Sequence, residues 1–224
     1  MGLLGLPKRT EFGRIIPKNA FDQYTNTKQK KLFADHIKRM TWTHKISKET
    51  ANLEGAVFSE IQVFHVELKE KVAIPKIVAI IQKVIPYPII LYISFDDQAY
   101  LTTSQKHQHP TNEDVSIVDW TFESEWFLTK ECPFSLKLKS SLDEVHKQLC
   151  VDLIGEDHFK SKSMSHIIEH QEKITNLARE IKKLESQIPK VKQFNNKVKI
   201  NIELAEKKQE LQDLGSSSFK KLEN

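Results

Sequence analysis

Cysteine is scarce in this chain, and glycine nearly so. The 224 residues hold two cysteines, Cys132 and Cys150, too few for a disulfide framework or a cysteine-rich zinc site, and a reducing cytoplasm is the expected compartment. The six glycines form neither G-x-x-x-x-G-K-[ST] nor G-x-G-x-x-G, which excludes the two familiar phosphate-cradling loops. No G-x-S-x-G nucleophile elbow is present. Long apolar runs are missing too. The nearest, "IPKIVAIIQKVIPYPIILYISF", is interrupted by proline and lysine, short of the ~18–20 apolar residues that span a bilayer. The start of the chain lacks the charged n-region and apolar h-region of a secretory signal. These gaps together predict a soluble, cytoplasmic protein with no membrane partner.

Charge is present in quantity but spread unevenly. Of 34 Lys plus Arg and 30 Asp plus Glu, residues 160–224 contain 14 and 9, a net of +5, leaving 20 and 21, or −1, for residues 1–159. A basic tail can meet nucleic acid or an acidic partner, although mixed charges along a helix more often mark a solvated face.

The periodicities predict a mixed α/β domain over 1–159, followed by a helical hairpin or coiled-coil arm over 160–224. The opening "GLLGLPKRTEFGRIIPKNAF" reads as an irregular arm packed on the domain. In "TNTKQKKLFADHIKRM", Leu32, Phe33, His36, Ile37 and Met40 have helical spacing, with Thr25 or Thr27 as N-cap. "TWTHKIS" is a short strand. "SEIQVFHVELKEK" alternates, placing Phe64, Val66 and Leu68 on one face and His65, Glu67 and Lys69 on the other. Ile74–Ile85 has a 3.6-residue period, with Pro75 in the first turn. "YPIILYISF" and "AYLTTSQ" form a hairpin about "DDQ", and "KHQHPTNEDV" is a polar loop. "SIVDWTFESEWF" is another strand, in which Trp120 and Trp126 are packing residues. "SLDEVHKQLC" is a helix capped by Ser140 or Ser141. Beyond it Ile167, Ile174, Leu177, Ile181, Leu184, Ile188, Val191, Val198, Ile202 and Ala205 keep a three-four spacing, with Asn195 at a seam position and a joint at Pro189.

One pattern carries candidate chemistry. A nuclease of the PD-(D/E)xK class places an acid and a lysine two residues apart on a strand, so that both project to one side, where carboxylates hold Mg²⁺ and the lysine steadies the attacking water. Glu67 and Lys69 have that spacing. The further carboxylate ligands would be Glu54 or Glu60, but Glu54 lies in a loop and Glu60 faces away from Glu67. An E-x-K on a polar strand face is also common by chance in a chain that is 29% charged. His65 could assist a metal there, while His107 and His109 of "KHQHP" lack the further ligands of a zinc site.

The segments "LGLPKRTEFGRIIPK", "FSEIQVFHVELKEK…IPYPIILYISF" and "KQFNNKVKINIELAEKKQEL" together resemble the bacterial and archaeal family catalogued as domain of unknown function forty-three ninety-one. Gly5, Leu6, Pro7, Lys8, Thr10, Glu11, Phe12, Phe64, Lys69, Gln193, Phe194, Asn195, Lys197, Val198 and Asn201 carry the resemblance. It implies no particular chemistry. It does imply company with helicase-like and methyltransferase-like proteins of restriction or antiphage type, hence an accessory, non-catalytic subunit. The expectation is a protein without cofactor that binds such a partner, or itself, through residues 167–214, with nucleic acid as a further possible partner. The alternative is a Mg²⁺-dependent nuclease built on Glu67, Lys69, Glu54 and Glu60.

Overall fold

The computed structural model describes residues 3–112 and 115–214. It divides into two compact units, meeting between Ile154 and Gly155, and each is described separately.

The first unit is built on a seven-stranded mixed sheet. Its strands are β1 (Glu11–Ile15), β2 (Ile37–Ser47), β3 (Glu60–Leu68), β4 (Ile89–Phe95), β5 (Gln98–Gln108), β6 (Ser116–Glu123) and β7 (Phe127–Leu128). The order β1-β2-β3-β4-β5-β6 follows the chain, and β7 pairs with the start of β5. All neighbours are antiparallel except β3 and β4, which run parallel because α3 (Pro75–Val84) crosses between them, as a parallel connection requires. Among the described residues the other α-helices of this unit are α1 (Thr27–His36), the single turn α2 (Lys48–Ala51) and α4 (Leu142–Ile154), with short 3-10 turns besides.

Alternation decides which residues face α3. Phe64, Val66 and Leu68 of β3, Leu91 and Ile93 of β4 and Tyr100 of β5 enclose one core with Ile77, Val78 and Ile81 of α3. The three β3 residues are at most 3% exposed. At ~25 cal/mol per Å² of apolar surface removed from water, such a layer is the main favourable contribution to the fold. The other sheet face carries α4, whose His146 bonds Thr103 of β5.

Several sequence expectations shift here. The opening segment is not wholly irregular, since Glu11–Ile15 adds an edge strand to β2, with Phe12 resting on Trp42 at a ring separation of 4.1 Å. Helix α1 is capped by Asn26 rather than Thr25 or Thr27. Asn26 accepts from the Gln29 N–H at 3.0 Å, and the Gln29 side chain accepts from the Asn26 N–H at 2.9 Å, a reciprocal capping box. Ile37 and Met40 belong to β2, where a register shift between Ile37 and Arg39 lets both, three residues apart, reach the same core. Strand β5 runs on through Lys106, His107 and Gln108, residues whose polarity suggests a loop. Ser141, not Ser140, caps α4, its hydroxyl accepting from the Glu144 N–H.

The second unit contains α5 (Met164–Gln187) and α6 (Phe194–Leu214). Pro189 lies in a short 3-10 turn, Ile188–Lys190, between them, where its missing N–H interrupts no helical bond. Ile174, Leu177 and Ile181 of α5 meet Leu204, Leu211 and Leu214 of α6. The pairs Lys173–Glu210 (3.3 Å), Lys207–Glu180 (3.0 Å) and Lys208–Glu185 (2.7 Å) link the helices in antiparallel register. On α6 the expected seam fails. Val198 is 40% and Ile202 55% exposed, and Asn195 is exposed, because the buried face of α6 runs through Leu204 and Leu211 instead. Among the described residues no helix is long and apolar enough to cross a membrane.

Candidate functional site

The E-x-K pair sits at the end of β3, and its two members part company there. Glu67 is the penultimate strand residue, sharing the sheet face of His65. Its carboxylate lies 4.0 Å from Lys38 Nζ and 4.0 Å from Arg39 Nε. Lys69 is past the strand, and its ammonium donates to the Ala34 carbonyl of α1 at 2.6 Å. Glu60 lies on the opposite sheet face, where it accepts from Gln62 Nε2 at 2.6 Å and pairs with Lys45 at 2.7 Å. Glu54 pairs with Lys48 in the loop before β3. The structure therefore brings none of the three carboxylates together, and the cations beside Glu67 are arginine and lysine side chains. Among the described residues no group of three or more His, Cys, Asp or Glu could hold a metal ion. Magnesium is usually held by one or two carboxylates with waters completing its octahedron, and here Glu67, Glu60 and Glu54 stand at separate places.

His65 is held by its neighbours on that face. Its Nε2 is 2.7 Å from Ser94 Oγ, its ring meets Tyr92 edge-on at 5.3 Å, and burial lowers its pKa. His107 pairs with Asp119 across β5 and β6 at 2.7 Å, and His109 Nδ1 accepts from the Thr111 N–H. Trp126 packs on Tyr100 at 4.7 Å, under the Lys71 ammonium, in the packing role expected of it.

A second location lies at the opposite end of β3. There the Gly55–Ser59 loop, Pro86–Pro88, the final residues of β5, Ser116 and His146 line a cleft of about 740 Å³. The loop is pinned by α4, because Asp143 accepts from the Ala56 N–H at 2.5 Å and from the Val57 N–H at 3.2 Å. Gly55 is required at this spot. A Cβ there would collide with the Phe58 carbonyl and come within 3.2 Å of the Asp143 carboxylate.

Two titratable groups are buried in the lining. Thr103 Oγ1 donates to the Ile89 carbonyl at 2.9 Å, which leaves its oxygen to accept from His146 Nε2 at 3.0 Å. His146 is 1% exposed, and burial, aided by nearby Lys106, pulls its pKa down to about 4. Lys106 projects to the α3 face, where its Nζ donates to the carbonyls of Gln82 at 2.8 Å and Ile85 at 2.6 Å. Those carbonyls, one in the last turn of α3 and one at its C-cap, are among the groups that a helix end leaves without helical partners. Burial pulls the amine down to about 7. Sequence reasoning missed Lys106 by ending β5 at Gln105. Continuing the alternation from Tyr100 through Thr102 and Ser104 places residue 106 on the inward face, and that was the available signal.

The third location is on the second unit. Phe194, Val198 and Ile202 are 77%, 40% and 55% exposed and lie four residues apart on α6, so they form one stripe. Between Glu185 and Glu203 there is no acidic residue, whereas Lys190, Lys192, Lys197 and Lys199 fall in that span.

Comparison with curated proteins and with solved structures finds no match. A family model described as Domain of unknown function (DUF4391) matches residues 4–211, almost the whole chain, from the opening segment through β3 and α3 to the last turn of α6, and the chain therefore belongs to that family.

Proposed function

We propose that this chain is an accessory, non-catalytic subunit whose α5/α6 pair, read as a short antiparallel coiled coil, carries a docking surface for a larger protein. The observation behind this reading is the α6 stripe Phe194, Val198 and Ile202, apolar and open along about two helical turns and set among lysines. An exposed aromatic anchor beside aliphatic residues is the composition of an interface centre, and surrounding charge selects the partner. The complementary surface is an apolar ridge or groove flanked by acidic residues. A protein fits this better than nucleic acid, whose phosphates would engage the lysines but leave the apolar ridge without a counterpart.

The family resemblance points to a helicase-like or methyltransferase-like protein of restriction or antiphage type as the partner. Leu177 and Ile181 are unsuitable probes of docking, because they are spent on the α5/α6 seam. Phe194→Asp and Val198→Asp alter the open face instead. Co-purification of the full chain with such a protein should fall at least tenfold in either variant, on the order of the ~1.4 kcal/mol or more that an anchor residue contributes. Undiminished co-purification would overturn the assignment. Sedimentation that changes from dimer to monomer in Phe194→Asp would reassign the stripe to self-association. A salt-sensitive DNA affinity that Phe194→Asp leaves intact and a Lys197→Glu, Lys199→Glu double variant abolishes would reassign the face to nucleic acid.

A further inference from the structure

We propose that the cleft lined by the Gly55–Ser59 loop, Pro86–Pro88 and the end of β5 takes a short extended segment of another protein, which pairs with β5 as an added strand. Unequal strand lengths create the opening. β5 pairs with β4 only from Gln98 to Thr103, whereas on its other side it pairs with β6 from Thr102 to Gln108. β3 likewise begins at Glu60, but its pairing with β4 starts at Gln62, opposite Ile89, the first residue of β4. Two strands that flank a third stand two spacings apart, ~9.6 Å, so beyond the start of β4 the sheet has a slot one strand wide. The chain leading into β4 does not fill it. Ile85 and Pro86 lie on the α3 side, their carbonyls 2.6 Å from Lys106 Nζ and 3.5 Å from Ser116 Oγ.

The cleft lies against the edge of β5 and not against one of its faces. Consecutive strand residues point to opposite faces, yet Ser104, Gln105, Lys106, His107 and Gln108 all border it. The backbone presented there is unpaired. The Leu101 carbonyl accepts from the Ser124 N–H at 2.9 Å, and the His109 N–H donates to the Val115 carbonyl at 3.4 Å. Residues of odd number therefore direct their backbone groups to the β6 side, and those of even number to the other. Thr102 meets β4 there. Lys106 and Gln108 lie past its start, and among the described residues no backbone group meets theirs on that side. Lys106 is only 7% exposed, where a donor and an acceptor without partners are costly.

An extended segment antiparallel to β5 satisfies this edge. Two of its residues, two apart, exchange bonds with Lys106 and Gln108, and the residue between them, opposite His107, points to the α4 face. Phe58 lies on that face, edge-on to His146 at 5.7 Å, and Val57 of the same loop is 75% exposed, so an apolar residue suits the central position. No carboxylate borders the cleft, which leaves backbone pairing and shape to select the segment. Strand addition works in this way, with main-chain bonds giving affinity and alternate side chains giving specificity. The receiving loop is already fixed by Asp143 through the Ala56 and Val57 N–H groups, so binding orders little of the protein. This site belongs to the first unit and is independent of the α6 stripe.

A phage-displayed library of random linear heptapeptides, selected on the full chain, supplies the probe. Selection should enrich peptides with a central aliphatic or aromatic residue. Synthetic copies should slow hydrogen exchange at the Lys106 and Gln108 amides at least about tenfold. Methylation of the peptide's backbone nitrogens should weaken binding at least about tenfold at alternate positions and little at those between, the period of a paired strand. Gln108→Pro removes an N–H that the fold leaves unused, so it should lower affinity by a similar factor with an unchanged circular dichroism spectrum. Phe194→Asp, on α6, should leave peptide binding as it is. No enrichment, binding without protection at Lys106 and Gln108, or N-methylation effects without alternation would overturn the proposal in the unmodified chain, whatever the variants do. Binding insensitive to N-methylation would instead give the cleft to a ligand held by side chains, and would overturn it equally.

Discussion

A histidine that is 1% exposed folds in its neutral form, and His146 shows what that demands of the solvent. Its folded pKa, about 4, lies below the 6.5 of an unperturbed histidine. As pH falls below 6.5 the unfolded chain takes up the proton first, so stability is lost down to about pH 4 and the loss then stops. His44 and His65 are shifted in the same direction by burial and add to the slope. Lys106 does not contribute in this window, being protonated in both states below pH 6. Between pH 7 and 4.5 His146 alone should cost about 2 kcal/mol, at 1.36 kcal/mol per pKa unit. Urea unfolding at the two pH values measures it. His146→Gln, which retains a donor for Thr103 but cannot titrate, should flatten the difference by roughly that amount, and an unchanged slope would refute the assignment.

At the scale of elements, local hydrogen bonds locate the boundaries. The reciprocal bonds of Asn26 and Gln29 fix where α1 begins, and Asn26→Ala should lower stability by ~1 kcal/mol, read as a shift in urea midpoint with no change in slope. The strongly periodic elements were legible without coordinates: β3 from its alternation, α3 from six apolar residues at helical spacing, and the β4–β5 hairpin from two apolar runs about Asp96 and Asp97. What escaped was decided by pairing. Glu11–Ile15 carries little strand pattern because an edge strand buries neither face, and all five residues are exposed. Ile37 and Met40 have a helical spacing, and only the register shift between Ile37 and Arg39 in the pairing with β3 puts both on one strand face. Glu67 and Lys69 share a face on paper. The strand ends between them, so the lysine turns to α1. On α6, Val198 and Ile202 fit the three-four repeat, yet the register against α5 uses Leu204, Leu211 and Leu214. A repeat shows that a helix has an apolar side without saying which of two such sides is used.

For the whole molecule, the division at Ile154 and Gly155 makes a direct claim about cooperativity. The first unit has its own core around Phe64, Leu91, Ile93 and Ile81, so a fragment of residues 1–154 should unfold in a single cooperative urea transition. Tryptophan fluorescence and far-ultraviolet circular dichroism should report the same midpoint. Two non-coincident transitions, or none, would show that residues beyond 154 are needed to complete the first unit. The basic excess lies in residues 160–224, and that is where salt-dependent association should reside.

The strand order of the sheet, which repeats the order of the chain, has a kinetic consequence. From β1 to β6 each strand joins the one made just before it, and the two-residue β7 alone reaches back past β6 to the start of β5. The two longest gaps between neighbours are each bridged by a helix, α1 from β1 to β2 and α3 from β3 to β4. Contacts of short sequence separation lower the entropy of closure and speed folding. A chain arranged this way can add strands in the order in which a ribosome delivers them, exposing one growing edge at a time rather than many, and thereby limiting the interval in which unpaired β-strands are open to aggregation.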